Sequence, residues 1–263
     1  MDATDRWREI LRGPESVLPL DEAALLIGAH ANHYLDVAAQ LERIDDVAAR
    51  LGDGDVDRVC RMLFGVLGLR GDTRTYGDPR NSYLDQVLTR RLGIPISLSV
   101  LLMEVARRCG TTLEGVGLPG HFLVRDPSSP DLLIDAFSGG QRLNGARCEE
   151  LLRSVAGPEA TLEPEMLERV GPRATLARML ANLDRTFARR GDRRSLAWVT
   201  RLRIDIPGRP VRERLELARR AAGLGWPDRA ADILGEVAGR PEIGTEVADR
   251  LRTRSNALRA SLN

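Results

Sequence analysis

The sequence predicts an α+β fold: a mainly helical core carrying a small antiparallel sheet, followed by an all-α region of helical hairpins. Three observations lead to it. Helix formers dominate the 263 residues, and with 43% apolar but only 4% aromatic residues the core is expected to be Leu, Val, Ile and Ala. Helical periodicity gives way between Leu113 and Asp135 to short apolar pieces separated by Gly, Pro and Ser, the pattern of strands. From Ala174 helical periodicity returns, split by Gly-Asp, Pro-Gly and Gly-Trp-Pro signals.

Residues 1–17 read as a weakly ordered lead-in. Residues 20–31 are expected to be helical, with Asp21 and Glu22 at the positive end and Ala24, Leu25 and Ile27 on the apolar face. A second helix is expected over 35–51, where Val37, Leu41, Ile44 and Ala48 share one face before Gly52-Asp53-Gly54 breaks it. A third covers 56–67 and ends at Gly68, and 71–80 is a polar loop. Ser82 is expected to cap a helix running to about Arg91. Pro95 suits the first turn of the next helix, whose buried side is Leu98, Leu101, Leu102, Val105 and Ala106. Strands are expected over 113–118, 122–125 and 132–135, and a short helix over 146–155. The Pro- and Gly-bearing stretch 157–172 marks the expected boundary between a core at 1–156 and a helical-repeat domain at 173–263. From Ala174 onward four or five helices are expected, and Gly191-Asp192 and Trp226-Pro227 each open a helix about 36 residues apart, near the tetratricopeptide period.

Charge narrows the partners. The chain has 39 basic and 38 acidic residues, a net of +1, which gives no electrostatic case for nucleic acid or an anionic membrane. Every basic residue is Arg, so no Lys amine exists for a Schiff base or a self-crosslink. Cys60, Cys109 and Cys148 are odd in number and widely spaced, without a CxxC pair or a zinc-type cluster. They are expected to be reduced cytosolic thiols, with Cys60 and Cys109 packed as small hydrophobes. Cys148 begins a late helix, electrostatically the better position, but no motif surrounds it. His30 and His33 resemble a metal-ligand spacing only loosely. Gly115–Gly120 lacks the Lys and the following helix of a phosphate loop. No signal-peptide pattern opens the chain, and its longest apolar run, 94–105, is too short to span a bilayer. The expectation is a cytoplasmic protein without cofactor or metal that engages a protein or peptide; the oligomeric state is left open.

The order helix, Arg91-Leu92-Gly93-Ile94-Pro95, apolar helix and strands around His121 and Asp135 resembles the transglutaminase and cysteine-protease core. There a thiol at a helix N-terminus attacks, His takes the proton and Asp orients the His. No Cys stands at that helix start. Ser97 is the best-placed hydroxyl, with Ser99 deeper; Ser97 also suits a plain N-terminal turn residue. Asn81 is either a turn anchor or a residue lining the cleft opposite His121.

Three segments carry a closer resemblance: Asp78-Pro79-Arg80-Asn81-Ser82, Arg91 to Ser99, and Gly115 to Arg125 with its Pro119-Gly120-His121-Phe122. Together with Ile134-Asp135-Ala136-Phe137 they look like the SirB-type transglutaminase-like core family over roughly residues 20–145, and the tail resembles the tetratricopeptide-like helices that often follow this core. The resemblance implies a transglutaminase fold whose members generally lack the Cys. This chain keeps His121 and Asp135 but has Ala136 where Pro commonly follows the Asp. Two functions stay open at this point. One is a non-catalytic or vestigial domain acting as an adaptor for a protein or peptide, or as a regulatory partner of another enzyme. The other is an amide hydrolase or acyl transferase using His121 and Asp135 with Ser97 or a water as nucleophile.

Overall fold

The computed structural model of the protein describes residues 2–260. Asp2 accepts a hydrogen bond from the Thr4 amide and so caps α1 (Ala3–Arg12). Trp7, Ile10 and Leu11 fall on one face of that helix and are buried, which overturns the expectation of a weakly ordered lead-in. An apolar stripe at i, i+3 and i+4 needs a cover, and α2 (Leu20–Ala31) supplies it. Asp36 caps α3 (Val37–Ala49) by accepting from the Ala39 amide at 3.0 Å. Asp55 caps α4 (Val56–Cys60) in the same way, and the chain then widens into a π-helical turn over Arg61–Val66. The single helix expected over 56–67 is thus two hydrogen-bonding patterns, ended by Gly68 at φ +68°.

β1 (Arg70–Gly71) pairs in parallel with β2 (Leu92–Gly93), and α5 (Leu84–Arg90) lies between them in sequence. Ser82 does not cap α5. It belongs to a 3-10 turn, Pro79–Ser82, that Asp78 caps, and Tyr83 takes the N-cap position. Next comes α6 (Pro95–Arg108), buried at every position from Pro95 to Ala106. Leu98, Leu101 and Leu102 are each wholly buried, worth about 1.5–3 kcal/mol apiece in area removed from water.

The sheet is antiparallel throughout. Its strands are β3 (Glu114–Val116), β4 (Leu123–Arg125), β5 (Leu133–Asp135) and β6 (Gln141–Leu143), and after α7 (Gly145–Ala156) comes β7 (Arg169–Val170). Their spatial order is β6-β5-β4-β3-β7, so a local meander is extended at its far edge by a strand from beyond α7. Val116, Leu118, Leu123, Leu133 and Leu143 pack with Cys148 and Leu152 of α7. β6 and β7 were not expected; Gln141-Arg142-Leu143 and Arg169-Val170 are too short and polar to announce themselves by alternation. α8 (Pro172–Arg190) then packs on α2, α6 and the 3-10 turn.

Contacts divide the chain into two compact units, one ending at Arg190 and the other beginning at Gly191. The division therefore falls later than the expected boundary in 157–172, because the apolar face of α8, with Leu176, Leu180 and Leu183 wholly buried, is satisfied within the first unit. The second unit is all helical: α9 (Arg193–Asp205), α10 (Val211–Gly223), α11 (Pro227–Ala238) and α12 (Thr245–Ala260), each packed on the next. Leu217, Ala218, Ile233 and Leu234 form its core. The Ser255 hydroxyl donates to the Ala231 carbonyl at 2.8 Å and ties α12 to α11. Among the described residues no helix is long and apolar enough to cross a membrane.

Candidate functional site

The loop from β3 to β4 sets up His121. Pro119 and Gly120 occupy the two central positions of a turn closed by the His121 amide donating to the Leu118 carbonyl at 3.0 Å. Gly120 has φ +72°, the left-handed conformation that a turn of this kind requires of its second central residue. Arg178 of α8 clamps the loop from outside. Its Nη1 donates to the Gly117 carbonyl at 2.7 Å, and its Nη2 donates to the carbonyls of Leu118 at 2.8 Å and His121 at 2.7 Å. The guanidinium also lies over the Phe122 ring, 5.5 Å from its centre. A Cβ on Gly117 would come within 2.6 Å of Nη1, so the clamp needs glycine there.

Held this way, His121 Nε2 meets Asp135 Oδ1 at 2.8 Å, with both side chains buried. The pair that the sequence placed on adjacent strands is formed. Asp135 Oδ1 also accepts from the Phe137 amide at 3.0 Å, and Oδ2 accepts from the Ser138 hydroxyl at 2.7 Å. Burial pushes the Asp135 carboxyl up, but the bonds from His121 and Ser138 outweigh it and hold the group below the usual carboxylate range. An ionised carboxylate only accepts, so Nε2 carries the proton and Nδ1 of the neutral ring is the basic lone pair. Phe137 meets the imidazole edge-on, its ring centre 5.9 Å away.

In front of His121 lies a cavity of about 340 Å³. Its walls come from the 119–122 loop, from Pro95 and Ile96 at the start of α6, from Tyr76, and from Arg178, Ala181, Asn182 and Arg185 of α8. A helix N-terminus thus faces a His–Asp pair across a cavity. Residues 29–181, which run from the end of α2 through His121 and Asp135 into the first half of α8, match the transglutaminase-like superfamily. The chain belongs to that superfamily. A UPF0162 protein of Xylella fastidiosa (strain Temecula1) is 36% identical over 243 residues, covering 83% of this chain and 85% of that one. A UPF0162 protein of Pseudomonas aeruginosa is 34% identical over 181 residues, 66% of each chain. F-box only protein 21 of Mus musculus is 40% identical over 106 residues, 37% of this chain but 17% of that one. No solved structure matches.

In this transglutaminase-like domain the helix start that faces His121 offers Pro95 and Ile96, neither of which can attack a carbonyl. Ser97 is turned the other way. It is fully buried, its hydroxyl donates to the Asn81 carbonyl at 2.6 Å, and it accepts from the Ile94 amide at 3.1 Å. Among the described residues no hydrogen bond joins Ser97 to His121; Ser97 serves the N-terminal turn of α6. Ser99 is buried as well, its hydroxyl 3.4 Å from the Phe122 carbonyl. Asn81 does not line the cavity. Its amide nitrogen donates to Asp72 Oδ2 at 3.0 Å and to the Thr75 carbonyl at 2.9 Å, and its oxygen accepts from Arg90 at 2.9 Å. That spends the side chain on anchoring the 72–81 loop.

The three cysteines are free and buried, and burial raises each thiol, Cys60 to about 11. Cys148 sits in the core under the sheet, not at an exposed helix end. Among the described residues no group of three or more His, Cys, Asp and Glu is arranged to hold a metal ion. Sequence reasoning missed the α8 wall. Its only signal was Arg178, Ala181, Asn182 and Arg185 at i, i+3, i+4 and i+7, one polar-edged helical face.

Proposed function

We propose that this chain is a SirB-type transglutaminase-like protein without covalent catalysis, acting as a cytoplasmic adaptor that binds a protein or peptide. One observation carries the reading: Pro95 and Ile96 stand opposite His121 where a nucleophile would be needed, and the nearby Ser97 hydroxyl is spent on Asn81 and Ile94. The cavity remains, which binding requires and vestigial decay does not. The mouse relative supports a portable module, since the matched stretch is 17% of a much longer protein. We read the second unit as tetratricopeptide-like, with α9–α10 and α11–α12 as successive hairpins and a surface available to partners.

The 2.8 Å contact between His121 and Asp135 favours a second reading, an amide hydrolase in which Nδ1 activates a water. The His121→Ala variant separates the two. The adaptor reading expects no turnover of peptide p-nitroanilides by either protein and the same cross-linked partner in host extract. The hydrolase reading expects turnover by the parent that His121→Ala abolishes with its helical content intact.

A further inference from the structure

The cavity in front of His121 is lopsided in charge. Arg178 and Arg185 both line it, and no Asp or Glu does. Two other half-buried arginines of this unit face carboxylates: Arg108 pairs with Asp21 and Glu104, and Arg90 lies near Asp72 and Asp78. Among the described residues neither cavity guanidinium has such a partner. Arg178 gives three of its five N–H groups to backbone carbonyls and keeps two; Arg185 gives one to the Asn182 amide oxygen and keeps four. Neutral carbonyls and amides accept hydrogen bonds but leave the charge standing. The electrostatics agree: burial, and then the neighbouring Arg185, push Arg178 down from its ordinary range. Two like charges on a shared wall, one of them half-buried, are stabilised by an anion arriving between them.

We propose that this cavity binds an acidic peptide, one carboxylate of which ion-pairs with Arg178 and Arg185 in front of His121. The inference rests on the non-covalent binding reading and names the ligand class of that same site. Guanidinium groups suit planar carboxylates. Beside His121, Asn182 and Tyr76 the wall has an apolar part, Pro95, Ile96, Pro119 and Ala181, that suits the methylenes and flanking residues of a peptide better than a bare hydrated ion. At about 340 Å³ the space takes one side chain and its neighbours.

The test is calorimetric titration of the full chain with four probes. They are a capped tripeptide with a central glutamate, the same tripeptide with glutamine, a capped dipeptide with a free C-terminal carboxylate, and inorganic phosphate. One carboxylate probe is expected to bind at least about tenfold more tightly than the glutamine peptide, and the stronger of the two tells a side-chain from a terminal carboxylate. Arg185→Gln, at an exposed position that leaves the loop clamp intact, should weaken that binding about tenfold. Arg185→Lys should restore part of it. Equal affinity for glutamate and glutamine with no gain for the free carboxylate, an unchanged affinity in Arg185→Gln, or tighter binding of phosphate than of both carboxylates would each overturn the proposal. Mass spectrometry of the recovered peptides keeps the two claims apart. Peptide that is bound and cleaved defeats the non-covalent reading alone; peptide that is neither bound nor cleaved defeats the acidic-ligand claim alone.

Discussion

Two walls of the cavity have different chemistry. The sheet wall holds a formed His121–Asp135 pair, buried and hydrogen-bonded on both carboxylate oxygens. The helix wall opposite holds Pro95 and Ile96. A base and its orienting acid are therefore present without a nucleophile. The difference teaches that a His–Asp pair has structural worth of its own. Asp135 gathers the His121 ring, the Phe137 amide and the Ser138 hydroxyl, so it shapes the β5–β6 turn whether or not any acyl group is transferred.

The largest expected effect strikes the sheet wall. Asp135→Ala removes one acceptor from three donors and should cost about 3 kcal/mol in urea denaturation, with buried groups left unpaired. A loss below about 1 kcal/mol would mean that the pair is not held for stability, and the comparison would lose its basis. Ile96→Cys completes the helix wall instead. A thiol at that helix start, facing the His121 base, should be alkylated by iodoacetamide at neutral pH roughly tenfold faster than in Ile96→Cys combined with His121→Ala. The native thiols are buried and raised, so they form a quiet background. Equal rates would show that the two walls do not address one another.

A smaller effect belongs to Ser97. Ser97→Ala should cost about 1 kcal/mol through the lost turn bond, measured by the same denaturation, and should leave peptide binding unchanged. The smallest is the pH response. Asp72 is pushed up by burial, but bonds from Thr75, Asn81 and Arg74 outweigh this and hold it at about 2, and Asp135 is also held low. Groups depressed in the folded state add stability that is fully present above their unfolded value near 4 and lost as pH falls toward 2. The thermal midpoint should therefore fall through that window, and Asp135→Asn should make the fall shallower.

The sequence made the helices legible where an apolar face repeated over three turns, as in α2, α3 and α6, and it made His121 and Asp135 legible because a Pro-Gly turn and two apolar strands bracket them. It hid α1, whose apolar stripe lies among six polar residues, it hid β6, which is short and polar, and it hid β7, whose pairing depends on a strand far away in the chain. Ser97 was ambiguous for a physical reason. The same hydroxyl at a helix start can serve a turn or a reaction, and only the position of the Asn81 carbonyl, contributed from 16 residues earlier, decides which. Arg178 was unreadable because its partners are backbone carbonyls, which leave no mark on side-chain pattern.

The place of α8 has a bearing on how the protein is made. His121 and Asp135 leave the ribosome well before Arg178 and Arg185, and domains assemble as their chain emerges. Until α8 has been synthesised the 117–121 loop lacks its clamp and the cavity lacks a side, so a nascent or prematurely ended chain carries the reactive-looking pair but no enclosure around it. The site is thus finished by one of its latest-made parts, and a stop codon between residues 171 and 185 would silence it while sparing every residue that the strands contribute.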